Sequence, residues 1–242
     1  MPDKKTRIAV ISDIHANLIA LTAFMEAIKN AEIDYIYHLG DAVYLGPYSS
    51  ECLEILLNDR RVKMIMGNYE EYCIFGKNHP HRIYWNDFVI EHQNQANSFL
   101  SQNVKEKIKE FPYIIYKTFE KVTVTFLHYG MKENKDFVDI IQNPSATDLN
   151  GIFKNINSEI IFYGHNHSSS DVQGKARYIN PGSLGCSEDE FARYIVFEVD
   201  KNGYTVEPCK IEYDKRLLFK AFEEMKIVGR EQIAKYYFGQ KN

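Results

Sequence analysis

Short apolar runs closed by glycine or polar residues alternate with stretches of helical periodicity through the first part of the chain. Ile8-Ala9-Val10-Ile11 predicts a strand over 7–12, and Leu18, Leu21, Ala23, Phe24 and Ile28 predict a helix over about 18–30. Tyr35-Ile36-Tyr37-His38-Leu39 predicts a second strand, ending in Gly40-Asp41. After the turn Gly46-Pro47, Cys52, Leu53, Ile55, Leu56 and Leu57 supply the buried face of a helix capped by Ser49 or Ser50. Val62-Lys63-Met64-Ile65-Met66 predicts a third strand, ending in Gly67-Asn68. Strand–helix alternation of this kind points to a sheet with helices on its faces.

The pattern then changes. Residues 70–110 read as a mostly helical insert rich in aromatics, among them Tyr72, Phe75, Tyr84, Trp85, Phe88 and Phe99. Trp85 and Phe88 read as packing residues. Gly76-Lys77-Asn78-His79-Pro80-His81-Arg82 reads equally as plain loop or as a basic lip that could meet a phosphate. His92 reads as solvent-facing. The second half looks like a β-meander: a hairpin over 113–119 and 122–127, a helix over about 145–155, a strand over 160–163, then strands over 194–199 and 204–209. Ser168, Ser169 and Ser170 read as loop. The tail, about 215–238, reads as two amphipathic helices packed outside. The whole, 1–242, is expected to form a single domain with the 70–110 insert as a helical cap.

Composition narrows the classes. With 242 residues, 45% of them hydrophobic, the chain can build a sizeable core. A net charge of −4 gives no broad electrostatic case for nucleic acid or an anionic membrane as main partner. The apolar run after Lys4, Lys5 and Arg7 is too short for a signal-peptide core or a membrane span. Cys52, Cys73, Cys186 and Cys209 are scattered with no C-x-x-C pair, so they read as reduced thiols of a cytoplasmic protein, neither disulfide framework nor zinc knuckle.

The candidate chemistry lies just after the strands. Asp13, His15, Asp41, Asn68, His128, His165 and His167 each follow an apolar run, most with glycine beside them. Ligands of α/β proteins gather outside strand ends. Asp13 and His15, two residues apart, can turn toward one point. His165 and His167 would face one side of an extended segment, an expensive arrangement without a partner or a metal. His128 is uninformative by itself, and His38 reads as a satisfied core histidine. Asn17 could bind a phosphate or cap the helix at Leu18. The set is mixed nitrogen and oxygen without thiolate, which suits manganese, iron, zinc or nickel better than calcium.

These motifs, D-x-H (Asp13, His15), G-D (Gly40, Asp41), G-N (Gly67, Asn68), a strand-end histidine (His128) and G-H-x-H (Gly164, His165, His167), resemble in kind and order those of the calcineurin-like metallophosphoesterase superfamily. The turn Asn180-Pro181-Gly182-Ser183 adds likeness to its small bacterial and archaeal phosphodiesterases, which have relatives that hydrolyse dinucleoside polyphosphates. The resemblance implies an α/β sandwich of two mixed sheets flanked by helices, with a dinuclear site at the strand ends. It implies Asp13, His15 and His167 on one metal, Asn68, His128 and His165 on the other, and Asp41 bridging. It implies attack of a metal-bridging hydroxide on a phosphodiester or phosphoanhydride. Two divalent ions, manganese or iron first and zinc or nickel next, are the implied cofactors.

One departure bears on substrate. Many members carry histidine after G-N, and here Tyr69 stands in its place, followed by Glu70 in an acidic position. A phenol with a pKa near 10 donates a hydrogen bond but is poorly matched to general acid work at pH 7. Good leaving groups are therefore favoured, and Asn68, Tyr69 and Asp41 are the catalytic candidates that the resemblance implies. The implied substrates are small phosphate esters or nucleotides, diadenosine tetraphosphate among them, with Asn17, Tyr69, His79, His81 and Arg82 as candidate substrate contacts. A phosphomonoesterase or protein phosphatase is the enzymatic alternative. A non-catalytic metal-binding interaction module is the alternative of another class.

Overall fold

A computed structural model describes residues 5–79 and 86–240. The first unit is β1 (Thr6–Ile11), α1 (Leu18–Ala27), β2 (Tyr35–His38), α2 (Ser49–Asn58) and β3 (Val62–Met64). β1 pairs in parallel with β2, and β2 with β3. β1 is buried on both faces, so its residues read as one apolar run rather than an alternation. Ile8 and Val10 point between the sheets, whereas Ala9 and Ile11 point toward α1 and α2. α1 starts because the Asn17 side chain accepts the Ala20 N–H. α2 begins at Ser49 with Tyr48 as its cap, and the Ser49 hydroxyl instead accepts the Tyr44 N–H at 3.1 Å.

Helices follow: α3 (Asn68–Phe75), a 3₁₀ turn (Gly76–Asn78), α4 (Asp87–Ser98) and α5 (Gln102–Ile108). His92 of α4 faces inward, contrary to the solvent-facing expectation. Its Nδ1–H donates to the Val228 carbonyl at 3.1 Å and its Nε2 accepts the Leu45 N–H at 3.2 Å. It pins α4 to a loop beside the strand ends and to the C-terminal segment, a long-range role invisible in local periodicity.

The second sheet contains β4 (Ile114–Phe119), β5 (Val122–Leu127), β6 (Ile160–Phe162), β7 (Ser170–Gln173) and β8 (Arg177–Asn180), with α6 (Ala146–Ile152) between β5 and β6. The meander expectation fails here. Its order is β4-β5-β6-β8-β7, and β5, β6 and β8 run parallel. The long 128–159 connection, with α6 in it, has the length that a parallel crossover needs. β7 includes Ser170, expected as loop, and pairs with β8 at the sheet edge, where few apolar residues are required. β9 (Phe191–Asp200) and β10 (Gly203–Glu212) join the first sheet, giving β10-β9-β1-β2-β3. α7 (Lys215–Glu224) and α8 (Arg230–Phe238) close the chain outside it.

Both sheets are mixed, and they pack face to face with helices outside. Ile8, Val10, Tyr37, Leu39 and Ile65 meet Val124, Phe126, Ile160 and Phe162 between them. Tyr37 and Phe126 stack with ring centroids 3.8 Å apart. The sandwich brings the carboxyl ends of β1, β2, β3, β5 and β6 to one edge, where the polar loops lie. Among the described residues, no helix is long and apolar enough to cross a membrane.

Candidate metal centre

The ends of β1, β2 and β6 deliver their polar residues through a tight, unusual backbone. Asp13, His15, Asp41, His165 and His167 all have positive φ, at 55°, 49°, 61°, 74° and 59°. For non-glycine residues such conformations cost on the order of 1–3 kcal/mol each and persist only where the surroundings over-determine them. Here the loops hold one another. The Asp13 N–H donates to Gly40 O at 3.0 Å, and the His15 N–H to Asp41 O at 3.0 Å. The Gly164 N–H donates to His128 O at 2.8 Å and the Leu184 N–H to Ser12 O at 2.8 Å. The loops from β1, β2, β5, β6 and β8 thus form one hydrogen-bonded rim.

Side chains on that rim converge. The Asp13 Oδ1 lies 3.5 Å from His167 Nε2 and 3.8 Å from His15 Nε2, and those two nitrogens are 2.9 Å apart. The Asp41 Oδ2 lies 3.3 Å from His128 Nε2 and 4.0 Å from His15 Nε2. His128 Nε2 is also 3.0 Å from Asn68 Oδ1 and 3.1 Å from His165 Nδ1. Two clusters therefore form, with Asp41 Oδ2 facing both. The other oxygens are already engaged: Asp41 Oδ1 accepts the Tyr69 N–H at 2.9 Å, and Asp13 Oδ2 accepts the His165 N–H at 3.1 Å.

The donor set fits a divalent cation. Asp13 Oδ1 is fully buried and, among the described residues, accepts no hydrogen bond. A buried carboxylate oxygen without a donor is costly unless a cation meets it. The His128 Nδ1 faces the Leu39 carbonyl at 3.0 Å. A carbonyl only accepts, so Nδ1 carries a proton and Nε2 is the nitrogen left to act as ligand. The groups Asp13–His15–Asp41, Asp41–His128–His165 and His15–His167–Cys186 each place their ligand atoms within 4.8 Å of one another.

Electrostatics separate the residues into roles. Burial opposes the charge on Asp13 and Asp41, but His167 beside the first and His128 beside the second hold both carboxyls below their ordinary value. Burial and His167 push His15 down to about 4, and burial and His128 push His165 down to about 3. These two imidazoles are neutral at pH 7 and present lone pairs. Burial also opposes the charge on His128, yet the Asp41 carboxylate outweighs it and raises this group to about 9. Burial and Asp41 raise Glu70 to about 7, while its carboxylate accepts N–H bonds from Asp41, Ala42 and Gly67 at 2.7, 2.7 and 3.0 Å. Glu70 thus fastens the G-D turn to the G-N turn.

Glycine is required where these turns touch. Gly40 has φ +110°, and a Cβ on Gly67 would sit 2.2 Å from Asp41 Oδ1 and 2.5 Å from the Asp41 nitrogen. Gly67→Ala is therefore expected to displace the shared carboxylate. Turnover should fall by about 100-fold, while the circular dichroism of the folded protein stays close to that of the wild type. Steady-state kinetics beside a far-ultraviolet spectrum check this.

The remaining candidates divide. Tyr69 is half-buried, its ring edge-on to His15 at a centroid distance of 5.1 Å, and burial, then Tyr237 and Asp41, hold its phenol protonated. Asn17 is buried, and its amide is spent on the α1 cap, on Gly185 O at 2.7 Å and on the Tyr213 hydroxyl at 3.2 Å. It serves as cap and loop tie, not as an open phosphate contact. His79 is buried at 6% exposure, its ring edge-on to Tyr72 and its Nε2 3.6 Å from Glu71, so it is no exposed lip. His81 and Arg82 lie outside the described residues, as do Tyr84 and Trp85. His38 is buried, with Nδ1 accepting the Gly40 N–H at 3.3 Å and Nε2 unpaired among the described residues, so it is a half-satisfied core histidine.

Two residues escaped sequence reasoning. Ser183 is buried, donating to Asp13 O at 2.6 Å and accepting the Cys186 N–H at 2.7 Å. Cys186 stands beside His15 and His167. Their signal in the sequence is position: Ser183 closes the turn Asn180-Pro181-Gly182-Ser183 after a strand, and Cys186 follows three residues later. A cavity of about 790 Å³ opens next to this rim, lined in part by His167, Ser168, Cys186, Arg193, Tyr236 and Tyr237.

Comparison with known proteins agrees with this architecture. Residues 6–202 match the model of the calcineurin-like phosphoesterase superfamily domain. A Methanocaldococcus jannaschii protein, MJ0912, is 30% identical over 253 residues, covering 91% of this chain and 92% of that one. The crystal structure of PH1004 from Pyrococcus horikoshii shares the fold at a TM-score of 0.83 and 23% identity, covering 98% of this chain and 100% of that one. A metallophosphoesterase from Sphaerobacter thermophilus does so at 0.70 and 22%, covering 95% and 98%. The superfamily is built around a dinuclear divalent metal centre, and the strand-end rim supplies the histidine and aspartate groups for one. By its matched domain, which spans most of its length, the chain belongs to the calcineurin-like phosphoesterase superfamily and is a metal-dependent phosphoesterase.

Proposed function

We propose that the chain hydrolyses phosphodiester or phosphoanhydride bonds of nucleotide-type substrates, with diadenosine tetraphosphate among the candidates. Asp13, His15 and His167 would hold one divalent ion, Asn68, His128 and His165 a second, and Asp41 would join them. The observation that carries the reading is the single Asp41 Oδ2 facing both clusters, 3.3 Å from His128 Nε2 and 4.0 Å from His15 Nε2. Divalent ions so held supply an activated water and offset charge on the phosphoryl oxygens.

The chain's own groups do the rest. The Tyr69 N–H fixes one Asp41 oxygen so that the other stays turned inward. The Leu39 carbonyl sets the His128 ring. The protonated Tyr69 phenol beside His15 can donate a hydrogen bond to a phosphoryl oxygen but is a weak proton source for a leaving group. That imbalance favours esters whose leaving groups depart unprotonated. The cavity is within the usual size range of ligand sites, and Tyr236 and Tyr237 give its outer wall aromatic surface for a base. The described helices of the 70–110 insert, α3, α4 and α5, would form a cap beside this edge of the sandwich.

Rates on bis-(p-nitrophenyl) phosphate, p-nitrophenyl phosphate and diadenosine tetraphosphate test the reading. The diester and the dinucleotide should be turned over at least about tenfold faster, by kcat/KM, than the monoester. A faster monoester reaction would make the chain a phosphomonoesterase. Two metals bound without turnover of any ester would make it a binding module.

A further inference from the structure

Cys186 belongs to no role assigned above, yet it occupies the wall of the first cluster. Its Sγ and the ligand nitrogens of His15 and His167 all lie within 4.8 Å of one another, and the residue is 2% exposed. Its position is set by the site's own framework. The Cys186 N–H donates to Ser183 Oγ at 2.7 Å, and that hydroxyl donates to Asp13 O at 2.6 Å. The Gly185 N–H donates to Asp13 O at 3.2 Å. A second observation points to the same place: the buried Asp13 Oδ1, which accepts no hydrogen bond among the described residues, faces His167 Nε2 at 3.5 Å. The thiol's hydrogen bond to Tyr237 O, at 3.4 Å, is weak and easily given up.

We propose that Cys186 is a sulfur donor to the metal held by Asp13, His15 and His167. The inference rests on the dinuclear reading above. On ligation the S–H bond breaks heterolytically, the sulfur electron pair forms the bond to the cation, and the proton leaves to solvent through the cavity that Cys186 lines. No electron is transferred. The two metal positions then differ: one gains a soft thiolate, the other has nitrogen and oxygen only. The first position would favour zinc or iron over manganese, so the nitrogen-and-oxygen set inferred from the sequence is incomplete.

The test is optical and needs no turnover. Protein loaded with two equivalents of Co²⁺ should show a near-ultraviolet thiolate-to-cobalt charge-transfer band, with the visible cobalt bands alongside. Cys186→Ser should lose the near-ultraviolet band while still binding two cobalt ions, and its preference for zinc over manganese should fall by about tenfold or more. If that variant does not fold, X-ray absorption of the zinc-loaded wild type decides, with a sulfur scatterer expected at about 2.3 Å. Cys52, Cys73 and Cys209 belong to none of the ligand groups among the described residues. Two cobalt ions bound with no charge-transfer band, or a band that survives in Cys186→Ser, would overturn the sulfur ligand and leave the dinuclear reading standing. No cobalt bound at all would overturn both.

Discussion

Asp41→Asn should abolish function while preserving the fold. The asparagine oxygen can still accept the Tyr69 N–H, as Asp41 Oδ1 does at 2.9 Å, so the local backbone keeps its tie. The amide nitrogen then stands where Oδ2 faces both clusters, and it offers hydrogens where lone pairs are needed. One negative charge leaves a buried site that must hold two dications. We expect kcat/KM to fall by about 1,000-fold or more, equivalent to at least about 4 kcal/mol, and bound metal to fall below two per chain. Metal analysis with steady-state kinetics checks both. Full metal content with normal turnover would remove Asp41 from the shared position.

The second large effect is on metal uptake as pH changes. Asp41 raises the metal-free His128 to about 9, so below that pH its Nε2 carries a proton. That proton points at Asn68 Oδ1, 3.0 Å away, and lies beside Asp41 Oδ2. A ligand nitrogen must give it up, so the metal and the proton compete for one place. The sign follows directly: apparent affinity rises with pH and levels off above about 9. For this one group, the affinity of the second cluster should fall about tenfold per pH unit, or about 100-fold from pH 8 to pH 6. Calorimetry of Mn²⁺ binding in buffers of different ionisation enthalpy should report proton release at pH 7. An affinity that is flat from pH 6 to pH 8, with no proton released, would contradict it.

The sequence carries these residues in a form that can be read because the strands feeding the site are apolar on both faces. Ile8-Ala9-Val10-Ile11 and Ile160-Ile161-Phe162 stand out, and the polar residues after them stand out in turn. Their left-handed backbone does not, since no periodicity announces it. Parallel pairing of β5, β6 and β8 is likewise hidden, because an apolar run fits a hairpin or a crossover equally well. His92 is misread as solvent-facing, and Asn17 is left between cap and phosphate contact, for another reason: their partners, Val228 and Gly185, lie far along the chain. Ser183 and Cys186 sit beside the site only because Leu184 and Gly185 bond back to Ser12 and Asp13. Such long-range contacts decide which polar residues near a strand end belong to its chemistry, and a local pattern does not contain them.

The most direct measurement is hydrolysis of bis-(p-nitrophenyl) phosphate by metal-stripped protein titrated with Mn²⁺. A dinuclear phosphodiesterase predicts no turnover without metal and little with the first equivalent. Turnover should then rise steeply and saturate as the second equivalent fills the site that Asp41 shares. Folded protein that binds two equivalents and never hydrolyses the diester, or that hydrolyses it as well without metal, would contradict the account.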